Sequence, residues 1–311
     1  MFLSAGEEHL FGLATTPEGA SHHRAVTMFP GAGQVTSTHR NGMFVRLARA
    51  LADLGWPSLR VDYRGCGESS GSVAVFSLDA PHTDAVEAAL QWQALRGCEE
   101  HVLVGTCFGA RTLLGVVSEV ESLLGVALVS PPVQDFPMGN GSGGGDRRRP
   151  SLRRLVLRGF DLAWAARRRE QRRLYWHFVV HAINVRVFAL VRAARTRSRP
   201  QLDIVSASML FALQSLARRK IPVLLMYGEP DKECHDFRRA LDGRLGRLLD
   251  SAPSIDLRIF DGPVHGFERI SSQDAVVEIV SQWVSDLVSP QVDTARQPIG
   301  PVSTVGAEDR A

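Results

Sequence analysis

Lysine is nearly absent from this sequence: of 36 basic residues only two, Lys220 and Lys232, are lysines. Cysteine is sparse as well. The four present, Cys66, Cys98, Cys107 and Cys234, form no CxxC pair, which argues against a zinc knuckle or a thioredoxin-type site and suits a reducing compartment. No uncharged run reaches the roughly 18 residues of a membrane span. The opening MFLSAGEEHLFG has neither a basic n-region nor an apolar run of signal-peptide length, so a cytoplasmic location is expected. What is left is ordinary globular composition. With 311 residues, 44% of them hydrophobic and 22% charged, the chain can bury a large core without metal or disulfides.

Charge is unevenly distributed. Residues 147–199 hold 16 Arg and no Lys against two acids, Asp161 and Glu170, a net +14; the rest has 20 basic against 31 acidic residues, a net −11. Base composition can explain the choice of Arg over Lys, but not its clustering.

Hydrophobic periodicity alternates between strand and helix. Strands are expected at 9–15, 25–29, 58–62, 101–105 and 124–129, with helices at about 41–54, 81–95 and 108–119 between them. After GNGSGGGD at 139–146 the alternation stops. It resumes with strands at 221–227 and 255–260 and helices at about 236–249 and 273–288. Such alternation implies an α/β fold, a mostly parallel sheet flanked by helices, with right-handed crossovers. The expected organisation is a core formed by residues 1–134 and 201–288, an Arg-rich helical insertion at 135–200, and a disordered tail at 289–311.

The strongest chemical signal is Val-Leu-Val-Gly-Thr-Cys-Phe-Gly-Ala at 102–110. A buried strand runs into Gly105-Thr106-Cys107-Phe108-Gly109 and then a helix, the G-x-nucleophile-x-G elbow with Cys in the usual Ser position. Glycines flank the nucleophile because so tight a strand-to-helix turn leaves no space for side chains. The positive end of the helix favours a thiolate. Taken alone, Cys107 also reads as a small buried residue. Strand 221–227 ends in Gly228-Glu229-Pro230-Asp231, and strand 255–260 leads to Asp261-Gly262-Pro263-Val264-His265-Gly266-Phe267. Asp231 alone could be a turn residue or helix cap, and His265 alone an ordinary loop histidine. Together the three give nucleophile, acid and base in chain order, all at carboxyl ends of parallel strands, where such sheets place their sites.

These motifs resemble the α/β-hydrolase superfamily, in particular its lidded, serine-aminopeptidase-like branch and hydrolases associated with exosortase loci. The resemblance covers about residues 5–288. It rests on Phe29-Pro30-Gly31-Ala32-Gly33, Thr38-His39-Arg40, the segment from Leu59 to Ser69 with its DxRGxGxS-like core, the elbow, Tyr227 to Asp231, and His265-Gly266-Phe267. It implies the α/β-hydrolase fold with an inserted helical lid, and a Cys107–His265–Asp231 triad. It also implies an oxyanion hole from the backbone N–H of Phe108 with that of Ala32 or Gly33. No cofactor or metal is expected. The pairs His22-His23 and His177/His181 lack the accompanying ligands of a metal site.

Cysteine departs from the branch's serine. Its acyl-enzyme is a thioester, so taking an acyl group from an oxygen ester is uphill and from another thioester nearly even. The expected function is therefore acyl hydrolysis or acyl transfer through an acyl-Cys intermediate, with a thioesterase acting on carrier- or CoA-bound acyl groups first. A carboxylesterase or lactone hydrolase is the alternative, and a non-catalytic accessory protein of the same fold the second. In the insertion, Trp164, Tyr175 and Trp176 either line an acyl pocket or pack the lid onto the body. The Arg runs 147–149 and 167–169 are a solvated face, or they meet an acidic acyl carrier protein, the phosphates of CoA or an anionic membrane surface. Nucleic acid is not an expected partner, because no nucleic-acid module is present.

Overall fold

Strands buried on both faces read as continuous apolar runs, and VLLMYG at 223–228 is buried along its whole length. The computed structural model describes residues 1–20, 23–31, 35–72, 78, 81–135 and 204–288. Among them are eight strands: β1 (Phe2–Ala5), β2 (Glu8–Thr15), β3 (Arg24–Phe29), β4 (Ser58–Val61), β5 (Glu100–Thr106), β6 (Leu123–Val129), β7 (Val223–Gly228) and β8 (Ile255–Phe260). They form one sheet in the order β1-β2-β4-β3-β5-β6-β7-β8. β2 pairs antiparallel with β1 and β4, and every other neighbouring pair is parallel.

The helices are α1 (Met43–Asp53), α2 (Thr83–Ala94), α3 (Phe108–Leu114), α4 (Ala207–Arg218), α5 (Lys232–Leu241), α6 (Arg244–Ser251) and α7 (Ile270–Asp286). Alternate strand residues separate them into two layers. Val102, Val104, Ala127, Val129, Leu224 and Met226 pack with α1 and α7 on one face. Leu103, Val126, Leu128, Val223, Leu225 and Tyr227 pack with α2, α3, α4 and α5 on the other. The period-2 side-chain alternation of strands and the apolar stripes of the helices meet here to make an α/β sandwich.

The strands and helices expected outside the 135–200 insertion are present, with four differences. β1 was not expected; its four residues Phe-Leu-Ser-Ala pair with β2 at the sheet edge. α4 was not expected either; it starts at Ser206, whose hydroxyl accepts the Met209 N–H at 3.3 Å as an N-cap. The single helix expected at 236–249 is two, because Gly243 leaves helical geometry at φ −107° and ψ −145°. The helix expected to reach Glu119 ends at Leu114, one residue before Gly115, a poor helix former.

Arg111, on α3, ties together the chain on either side of residues 136–203. It is 2% exposed. Its guanidinium donates to Asp135 Oδ1 (2.5 Å), the Pro132 carbonyl (2.9 Å), Ser206 Oγ (2.9 Å) and Ser208 Oγ (3.2 Å). A buried guanidinium is tolerable only when its fork of donors is satisfied in this way. The bulk of the expected insertion, with Trp164, Tyr175, Trp176 and the Arg runs, lies outside the described residues, as do Ala32, Gly33 and the tail at 289–311.

Candidate active site

β5 ends at Thr106 and α3 begins at Phe108, so Cys107 alone makes the turn between them. It does so at φ 48° and ψ −109°, a conformation that costs an L-residue on the order of 1–3 kcal/mol. The flanking glycines are required by contact. A Cβ on Gly105 would lie 2.6 Å from the Ala110 nitrogen, and one on Gly109 2.6 Å from the Pro30 carbonyl oxygen. The turn is pinned from the neighbouring strand by the Cys107 N–H, which donates to the Val129 carbonyl at 2.8 Å. Phe108, the expected oxyanion-hole donor, is the first residue of α3 and packs edge-on against Tyr63 at 5.7 Å.

Two loops bring the other expected residues to this turn. His265, after β8, places Nε2 3.3 Å from Cys107 Sγ. Asp231, after β7, is buried, and its Oδ2 accepts the backbone N–H groups of Val264 (2.8 Å) and His265 (2.5 Å). The ring of His265 has a second contact that sequence reasoning missed: its Nδ1 lies 3.3 Å from Glu233 Oε2, a side chain 13% exposed. Glu233 sits in the first turn of α5, where acidic residues are common for helical reasons alone, so its type carried no signal. An imidazole between a thiol on one nitrogen and a carboxylate on the other can take a proton from sulfur and hold it.

The Thr38-His39-Arg40 segment supports both partners. Arg40 Nη1 donates to the Gly266 carbonyl at 3.0 Å, beside His265. The Arg40 N–H donates to His39 Nδ1 at 2.8 Å, which leaves the proton on Nε2, and that nitrogen donates to Thr106 Oγ1 at 3.2 Å. His39 also lies against Phe44 and Phe267, with ring centroids 4.9 and 4.5 Å away. Burial, reinforced by the Arg40 charge, lowers its pKa from 6.5 to about 4. Nearby, Asp62 is buried and accepts the Ser37 N–H, and burial raises its carboxyl above the usual range.

A pH dependence of folding follows from His39. Between about pH 6.5 and 4 the unfolded chain takes up a proton at this residue and the folded chain does not, so stability is fully present above 6.5 and falls as pH drops toward 4. The loss should approach about 3 kcal/mol at pH 4. Urea unfolding of the wild type and His39→Gln from pH 8 to 4 checks this; the variant should start less stable and lose less on acidification. Parallel curves would assign the acid sensitivity elsewhere.

Among the described residues no group of three His, Cys, Asp or Glu side chains could hold a metal ion, and no helix is long and apolar enough to cross a membrane. A family model described as "Alpha/beta hydrolase family" matches residues 28–279. No curated protein matches the sequence. Among solved structures, the proline iminopeptidase of Mycobacterium smegmatis is similar with a TM-score of 0.53 at 15% identity, over 92% of this chain and 98% of that one. The esterase Pf2001 of Pyrococcus furiosus gives 0.55 at 14% identity, over 92% and 90%. The monoacylglycerol lipase of Paleococcus ferrophilus gives 0.54 at 16%, over 89% and 99%. At such identities the likeness is one of fold, and chemistry has to be argued from the site itself.

Proposed function

Since the chain belongs to the alpha/beta hydrolase family, we propose that it is an acyl-transferring hydrolase that works through an acyl-Cys107 intermediate, with thioesters as its preferred substrates. The observation that carries this reading is the strained Cys107, with its sulfur 3.3 Å from His265 Nε2. His265 takes the thiol proton as the Cys107 sulfur attacks the substrate carbonyl carbon. The new carbon–sulfur bond leaves negative charge on the carbonyl oxygen, which the N–H of Phe108 and that of Ala32 or Gly33 receive. Collapse breaks the bond to the leaving thiol, which takes the proton from His265. Water, or an amine or alcohol, then attacks the acyl-Cys, giving its proton to His265, and the Cys107–carbon bond breaks to restore the thiol. Asp231 holds the loop that carries His265. No cofactor is required.

Thioesters fit because a thiol displaces a thiol at nearly even free energy, whereas displacing an alkoxide by a thiolate is uphill. The basic segment at 147–199, net +14 in a chain whose remainder is net −11, supports an acidic acyl carrier protein as the partner that delivers the acyl group. An esterase with Cys in place of Ser is the second reading, favoured by a contact that a serine hydroxyl could make equally well.

The test compares one acyl group on three carriers: the phosphopantetheine of an acidic carrier protein, CoA, and a simple alcohol. kcat/KM should be at least about tenfold higher on either thioester than on the oxygen ester. On the carrier protein it should fall steeply between low salt and about 0.3 M salt, where surface charge is screened, with kcat nearly level. Equal rates on thioester and oxygen ester would favour the esterase reading, and a flat salt profile would remove the carrier protein.

A further inference from the structure

Two carboxylates, two residues apart at the start of α5, both reach the His265 loop, and they do different things there. Asp231 Oδ2 accepts two backbone N–H groups, those of Val264 and His265. Those bonds fix the path of the loop. Glu233 Oε2 instead faces the ring, 3.3 Å from Nδ1, on the side opposite the sulfur. Among the described residues the ion-pair partner of Glu233 is His265, so this carboxylate is not occupied by an arginine or lysine there.

We propose that Glu233, not Asp231, is the carboxylate that acts on the His265 imidazole: it fixes the tautomer with hydrogen on Nδ1 and faces the imidazolium that forms at proton transfer. Asp231 acts through the backbone alone. The reasoning is one of proton placement. A base that takes a proton at Nε2 must carry hydrogen at Nδ1 beforehand, and the acceptor beside Nδ1 decides this. With Glu233 in place the Nδ1–H has an anionic acceptor and the Nε2 lone pair points at sulfur. The charge then produced on the ring by proton transfer lies against a carboxylate that is little exposed, where screening by water is weak. Glu233 is thus a positioning residue, acting through His265. This inference rests on the Cys107–His265 reading for its consequence in catalysis, though not for its geometry.

The experiment separates the two. Long-range proton–nitrogen spectra of the His265 imidazole, recorded in a Cys107→Ala background at slightly alkaline pH, read the tautomer without reference to activity. The Nδ1–H form should dominate in that parent, shift toward the Nε2–H form in Glu233→Ala, and persist in Asp231→Asn, whose side-chain oxygen still accepts the loop N–H groups. Glu233→Gln should restore the tautomer, since its amide oxygen accepts from Nδ1, but not the charge. Turnover with Cys107 present should follow the same order: a loss of about 10²-fold or more in kcat for Glu233→Ala, partial recovery in Glu233→Gln, and less than about tenfold loss in Asp231→Asn. A tautomer that changes with Asp231→Asn and not with Glu233→Ala overturns the proposal. Should Asp231→Asn fail to fold by circular dichroism, an unchanged tautomer in Glu233→Ala overturns it alone. Turnover that survives Cys107→Ala counts against the covalent mechanism instead, and the tautomer still decides the role of Glu233.

Discussion

Cys107→Ala should remove turnover by at least about 10⁴-fold while leaving the fold in place. The size of the loss follows from what a nucleophile does: no other group supplies the bond to the acyl carbon, and removing the nucleophile of a concerted set costs nearly as much as removing the set. The fold survives because the change exchanges a thiol for hydrogen at one buried position, and the turn is held by the Cys107 N–H to Val129 and by close packing at Gly105 and Gly109. The backbone remains at positive φ, which alanine tolerates no worse than cysteine. Melting curves and steady-state rates on one thioester measure both halves of the expectation. A stable variant with full activity removes Cys107 from the chemistry.

His265→Ala should lower kcat by about 10²–10⁴-fold, less than the loss of the sulfur itself. A thiol reaches its thiolate in small fraction without a base, so covalent chemistry does not vanish with the imidazole. The loss should also appear without substrate: alkylation of Cys107 by iodoacetamide at pH 6.5 should slow in His265→Ala, because the base 3.3 Å from sulfur is gone. Equal alkylation rates in both proteins would separate His265 from Cys107 in function. Exogenous imidazole should restore part of the rate, since the His265 side chain is itself 36% exposed and the space left by its ring opens to solvent.

The parts of this site that were legible in the sequence are those where geometry dictates residue type. The elbow is one. Gly105 and Gly109 have no space for a Cβ, so any sequence that makes this turn carries glycine at both positions, and the residue between them stands out. The loops after β7 and β8 were legible for a related reason: polar residues directly after apolar strands mark the carboxyl edge of a parallel sheet. Glu233 was not legible. It belongs to a helix with several polar residues, Lys232-Glu233-Cys234-His235-Asp236, and only the packing of α5 against the His265 loop selects one of them. The atoms through which Asp231 acts were hidden for the same reason, because sequence shows a carboxylate and not which N–H groups face it. The role of His39 depends on long-range packing too: its burial between Phe44 and Phe267 joins segments more than 200 residues apart. In the fold, β1 escaped notice because four residues hold too little alternation to read, and the break between α5 and α6 because a helical apolar period continues across Asp242-Gly243.

The central claim is a covalent acyl group on Cys107, and intact mass spectrometry tests it most directly. The protein is mixed with a slowly turned-over acyl thioester, quenched in acid within seconds, and weighed. The account predicts one added acyl mass, mapped by digestion to the peptide containing Cys107, released by hydroxylamine at neutral pH as a thioester should be, and absent in Cys107→Ala. Turnover with no added mass at any quench time, or an adduct that persists in Cys107→Ala, would contradict it.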